Sequence, residues 1–329
     1  MSEASRSRIL QAVSTLETGL GAVKNAAGAL SREPPPAEGD LAAPSDLRQL
    51  LSEAAERIHM QATSVGMLWG DENRQPKEDE ADSILGKYEQ AILHYCALCH
   101  GVLAGAGTTL AHAVMDNGSA VVESSITLLQ SLMDPSKQKQ LASLAGMVWQ
   151  ACDRAKKAPV DNKTAMSRAL TRTAKAAKDA VREVSELVED SAKEADSDGG
   201  AAAADVQVFS DDEDLDFEAD KLCLEEVAVA KCAIEVILAV IGGFKAVLQV
   251  WISGAFPETD RECLCTLEKA LQSAAQCGIA SEALAASLYG PQDPVEVGKA
   301  VDEVAEGWEA LLVTLGSLPE YAGTVGQAG

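Results

Sequence analysis

Residues 144–190, LAGMVWQACDRAKKAPVDNKTAMSRALTRTAKAAKDAVREVSELVED, decide the fold. The first part carries Val148, Trp149, Ala151 and Cys152 on an apolar segment that stops at Ala158-Pro159-Val160-Asp161-Asn162. Proline lacks an N–H and its ring crowds the preceding turn, so Pro159 ends one helix, and Asp161 is placed to cap the next. From Met166, small or apolar residues recur at Leu170, Thr173, Ala177, Ala180, Val184 and Leu187. Steps of four and three put them on one helical face, which predicts a helical hairpin with a stripe to bury.

The charges on the second helix are ordered against its dipole. Lys163, Arg168, Arg172, Lys175 and Lys178 fill its first part, and Glu183, Glu186, Glu189 and Asp190 its end. A helix macrodipole prefers the reverse by about 0.3 to 1 kcal/mol per well-placed charge. Two readings follow: a basic face (Arg168, Arg172, Lys175) that binds an acidic partner, in another molecule or in this chain's own acidic segment, or a solvated face with pairs such as Lys175–Asp179 and Arg182–Glu186.

The same four-and-three spacing extends outward in both directions. Ile9, Val13, Leu16, Leu20, Val23, Ala27 and Leu30 predict a first helix, ended by Pro34-Pro35-Pro36, and Leu47, Leu51, Ala54, Ile58, Ala62, Val65 and Trp69 a second. The third carries two apolar rows, Ile84, Tyr88, Ala91, Tyr95, Leu98, Val102 and Leu85, Ile92, Cys96, Cys99, Leu103, which predicts a central helix. Gly105-Ala106-Gly107 breaks it, and a helix from Thr108 to Met133 follows, with a weak point at Asn117-Gly118. From Asp190 to Asp220 there are twelve acidic residues against the single basic Lys193, a composition that buries too little apolar surface to order itself. Beyond it, Lys221 to Ile252 is apolar around most of its circumference, with Gly242-Gly243 inviting a bend. A further helix opened by Pro257 and a last one capped at Asp293-Pro294-Val295-Glu296 complete the chain. The expected architecture is all-α: two up-and-down bundles of the vinculin and talin kind, residues 1–190 and 220–329, joined by an acidic linker at 191–219.

A chain of 329 residues with 47% hydrophobic and 24% charged residues is of globular type, and 4% aromatics suit close-packed helices more than sheets. A net charge of -24 repels nucleic-acid phosphates and anionic lipid surfaces, so no direct nucleic-acid or membrane partner is expected. Val227 to Phe256 is interrupted by Lys231, Glu235 and Lys245 and is expected as a core helix, and Met1 to Arg8 begins no secretory signal. Eight cysteines spread over apolar helical stretches predict reduced thiols in core positions.

Four motifs invite chemistry. Cys96-Ala97-Leu98-Cys99-His100 has haem-attachment spacing, and His94 would add a zinc ligand, yet the residues sit within a wide apolar helical face, so core packing is expected, with no cofactor and no metal. Gly101 to Thr109 is glycine-rich but lacks the lysine of a phosphate loop. His59, His94, His100 and His112 have no nucleophile or carboxylate at a catalytic spacing, so no enzymatic activity is expected. Ser210, followed by Asp211-Asp212-Glu213-Asp214, has the pattern that acid-directed kinases such as casein kinase II accept.

The chain resembles the cyclin-D-binding protein family, also called GCIP. The residues that carry the resemblance are Leu51-Ser52-Glu53-Ala54-Ala55 with Ala62-Thr63, Val148-Trp149-Gln150-Ala151-Cys152, Pro159-Val160-Asp161-Asn162-Lys163, Lys178-Asp179-Ala180, and the acidic segment leading to Cys223 and Cys232. The resemblance implies a nuclear and cytoplasmic, non-enzymatic protein that binds D-type cyclins and helix-loop-helix transcription regulators and restrains cell-cycle progression. A leucine zipper ascribed to the family has no run of leucines every seven residues here. The alternative reading of the same helical stripes is a vinculin- or talin-like cytoskeletal adaptor.

Overall fold

The computed structural model describes residues 3–30, 44–70, 76–197, 222–253 and 260–318. Among them every regular element is helical: α1 (Glu3–Leu30), α2 (Pro44–Gly70), α3 (Glu78–Leu103), α4 (Thr108–Ser131), a 3-10 turn (Pro135–Gln140), α5 (Leu141–Lys156), α6 (Asn162–Ser197), α7 (Leu224–Ser253), α8 (Arg261–Ala286) and α9 (Pro294–Gly316). The chain divides by contacts into two compact units, one within Met1–Met166 and Pro257–Leu264, the other within Ser167–Phe256 and Cys265–Gly329. The division falls inside α6, and the composition-based linker of 191–219 lies outside the described residues from 198 onward.

The first unit is a ring of five helices. α1 packs on α3 and α4, α2 on α3 and α5, and α4 closes the circle on α5. Directions follow from side-chain pairs. Along the α2–α5 seam, Glu56 meets Lys156, Gly66 approaches Ala145, and Gln138 donates to the Trp69 carbonyl at 3.2 Å, so these helices run oppositely. Along α1–α3, Arg8 meets Asp82 and Glu89 while Gly19 faces Leu93 and Cys96, so these run the same way. Five helices that alternate in direction along the chain cannot alternate all round a ring. One neighbouring pair must be parallel, and it is α1/α3.

The predicted stripes are the buried faces. Ile9, Leu16 and Val23 of α1, Ile58, Ala62 and Val65 of α2, and Leu85, Tyr88, Ile92, Tyr95 and Cys99 of α3 are inside, with Ile84, Ala91 and Leu98 packed at the edge of the core. That confirms the wide buried face of α3. α4 runs unbroken through Asn117-Gly118: Asn117 donates to the Ala113 carbonyl at 2.7 Å, and buried Gly118 admits Cys99 Sγ, which a Cβ would meet at 3.7 Å. The glycine there serves packing.

In the second unit, Glu226 at the start of α7 holds Gln292 ahead of α9, and Gly243 and Phe244 meet Trp308, so α7 and α9 run in parallel. Thr173 of α6 meets Gly278 of α8, and Gly307 of α9 lies against the Cys277 backbone. α7 continues without interruption through Gly242-Gly243. A Cβ on Gly243 would stand 1.8 Å from the Trp308 ring, so this glycine admits an indole. α7 is long and apolar enough to cross a membrane, but Val227, Ala230, Ile237, Ile241, Phe244 and Trp251 are spent on the bundle core. Asp293 caps α9 as expected, accepting from Val295 N–H at 2.8 Å with Pro294 in the first turn. Asp260 caps α8 through Cys263 N–H at 3.1 Å, while Pro257 lies outside the described residues.

Candidate protein-interaction surface

α6 begins as its sequence requires. Asp161 accepts from the Thr164 N–H at 2.6 Å and from the Thr164 hydroxyl at 2.9 Å, which satisfies donors that the first helical turn leaves open. The next residue, Asn162, is buried, and its amide accepts from Gly107 N–H at 2.7 Å and donates to the Gly105 carbonyl at 3.0 Å. The glycine-rich turn between α3 and α4 is thereby bonded to the α6 start, and the Gly107 N–H that a phosphate loop would turn to its ligand is held by protein.

Beyond that anchor, Leu170, Ala177, Val181, Val184 and Val188 are buried and the charged residues face solvent. Arg168, Arg172, Lys175 and Lys178 are exposed, as are Glu183, Glu186, Glu189 and Asp190. The basic residues expected to form one face are therefore on one exposed side of one helix. Arg182, in the middle, reaches Asp179 at 3.8 Å and Glu186 at 3.9 Å. Both contacts are near the limit of an ion pair, among side chains roughly half exposed or more, so they hold α6 together only weakly.

The Cys96 and Cys99 thiols are buried in the core, whereas His94 and His100 are exposed. Burial pushes the thiols up to about 11 for Cys96 and about 12 for Cys99, away from the thiolate that a metal would need. Cys152 on α5 is pushed up to about 12, again chiefly by burial. No group of three His, Cys, Asp or Glu able to hold a metal ion occurs among the described residues. His59 is half-buried and lies flat on Trp149, with ring centroids 5.1 Å apart and planes 7° from parallel. Ser210 lies outside the described residues.

Three features here escape a reading of the sequence. The His59–Trp149 stack and the Glu56–Lys156 ion pair join α2 to α5 across about 90 to 100 residues of chain, beyond any local periodicity. Glu226 is a capping-box acid: it accepts from Cys223 N–H at 2.8 Å and from Gln292 N–H at 2.9 Å. A cysteine in place of the usual Ser or Thr hides that pattern.

The family described as Grap2 and cyclin-D-interacting, N-terminal, matches residues 50–190, from α2 through most of α6. This region is similar to the GCIP family. The Cyclin-D1-binding protein 1 homolog of Danio rerio is 25% identical over 147 residues. That alignment covers 44% of this chain and 42% of the relative, so the chain matches less than half the length of the curated protein. The GCIP match takes in both the α2–α5 seam and the charged face of α6, and ends at Asp190. It is a match to a family of binding proteins.

Proposed function

We propose that the protein is a non-enzymatic interaction regulator that binds a D-type cyclin through its GCIP region and restrains cell-cycle progression. The observation that carries this reading is the family match over residues 50–190, supported by likeness to a relative named for cyclin D1 binding. Helix-loop-helix transcription regulators are a second class of partner in the same proposal, and its setting is the nucleus and cytoplasm. A helical bundle is suited to the role because its exposed helix faces offer partner surfaces without needing a cleft. Ser210 is proposed as a phosphorylation site for an acid-directed kinase, on the strength of the four acids that follow it.

The test is direct binding of the purified full chain to a purified D-type cyclin, beside a helix-loop-helix regulator and filamentous actin. Saturable cyclin binding is expected. Cosedimentation with actin, and none with cyclin, would replace this reading by that of a vinculin- or talin-like adaptor.

A further inference from the structure

The exposed face of α6 carries a charge pattern that reads the same in reverse with opposite sign. Arg168, Arg172 and Lys175 stand eleven, seven and four residues before Asp179, and Asp190, Glu186 and Glu183 stand eleven, seven and four residues after it. At about 100° per residue all six lie within roughly 40° of Asp179 around the helix axis, so they form one straight stripe about 33 Å long. All six are exposed, and the stripe is opposite the buried row of Leu170, Ala177, Val181, Val184 and Val188.

We propose that this face is a self-association surface whose occupant is α6 of a second copy of the chain, laid antiparallel about a two-fold axis at Asp179. In that arrangement Arg168 faces Asp190 of the partner subunit, Arg172 faces Glu186 of the partner subunit, and Lys175 faces Glu183 of the partner subunit. The two-fold repeats each pair, as an isologous interface requires. Asp179 meets its own copy at the axis, where Arg182, already 3.8 Å from Asp179 in its own helix, supplies the compensating charge from both copies. The order of charges along α6, unfavourable for its own dipole, becomes favourable here, because each basic half lies beside the C-terminal half of an antiparallel neighbour.

The alternating sign also argues against other occupants. A nucleic acid or an anionic membrane attracted to Arg168, Arg172 and Lys175 would be repelled by the acidic half of the same stripe, and a uniformly acidic peptide would fit only half of it. The contact is made of exposed ion pairs with little apolar area, so association is salt-sensitive and of modest affinity.

Two variants of the full chain test it. R168E/R172E/K175E makes the stripe wholly acidic, and E183K/E186K/D190K makes it wholly basic; both change only exposed positions, and circular dichroism checks that both remain helical. Sedimentation equilibrium at about 20 mM salt is expected to show dimers for the native chain, monomers for each variant alone, and a mixed dimer when the variants are combined. The native dimer is expected to weaken by about tenfold or more at about 500 mM salt. A native chain that stays monomeric at low salt overturns the proposal, as do variants that dimerise like the native chain or a mixture that fails to pair. An acidic partner protein, or the chain's own acidic segment, as the true occupant would give that last result. Cyclin binding is measured separately, so either proposal can fail alone.

Discussion

Within each unit, the helix seams show a different kind of close contact most clearly. In the five-helix unit, polar bridges cross three of the seams: Arg8 to Asp82 at 2.8 Å and Glu89 at 2.7 Å, Lys24 to Glu123 at 2.8 Å, and Lys156 to Glu56. In the other unit, glycines remove the space between helices: Gly243 against Trp308, Gly278 against Thr173 and Gly307 against Cys277. An odd ring forces α1 and α3 to lie parallel with like dipole ends together, and Arg8 there places a cation among the acids of the α3 start. α7 and α9 are parallel too, and they meet through an indole filling a glycine gap. Ion pairs tune a seam by small amounts, whereas a filled glycine gap leaves no room for change.

That contrast is broken most sharply at adjacent glycines. Gly243→Ala puts a methyl into the Trp308 ring and is expected to lower stability by about 2 to 3 kcal/mol. Gly242→Ala, where nothing lies within 4 Å, is expected to raise it by up to about 1 kcal/mol through helix propensity. Chemical denaturation of both variants should give opposite signs. Two losses would show that α7 needs flexibility at this dipeptide.

A smaller loss is expected in the first unit. Arg8→Met strips two charge-assisted hydrogen bonds and leaves the Glu89 carboxylate, only 16% exposed, without its partner, which should cost about 1 to 2 kcal/mol. Burial works against the charge on the Arg8 guanidinium, yet its bonds to Glu89 and Asp82 raise it above its ordinary value. The double variant Arg8→Met with Glu89→Leu should recover part of the loss, since no buried charge is then left alone.

Next comes a pH effect. Hydrogen bonds from the Gln292 N–H first, then the Cys223 N–H, hold the Glu226 carboxyl below its usual range. A group depressed in the folded state contributes stability that is present above its unfolded value, near 4.3, and is lost as pH falls through the folded value. Glu226→Gln should therefore show a smaller fall in Tm than the native chain when pH is lowered from about 5 to about 3. Parallel curves would mean that the cap closes no differently when protonated.

The smallest effect belongs to Lys156. Its link to Glu56 lowers the Glu56 carboxyl and raises the lysine, but Glu56 is half exposed, so Lys156→Met should cost no more than about 1 kcal/mol.

What the sequence made legible was the face each helix buries. The Ile9-to-Ala27 row, the double row on α3 and the Asp161 cap all reappear in place because each depends on residues within a few turns. A stripe states which side is buried but not against which helix, so the order α1, α3, α2, α5, α4 around the ring was not readable. The packing role of Gly243 was not readable because its partner, Trp308, lies 65 residues away. Asn162 was visible as part of a break and not as the clasp on Gly105 and Gly107, again because its bonds are long-range. On α6, the exposed basic face was legible from spacing alone, since periodicity fixes which charges share a side.

Hydrogen exchange on the full chain, with and without saturating D-type cyclin, tests the proposed function most directly. Protection is expected within residues 50–190, on the helices of the GCIP region, with 260–318 unchanged. Protection confined to 260–318, or none anywhere at saturating cyclin, would contradict it.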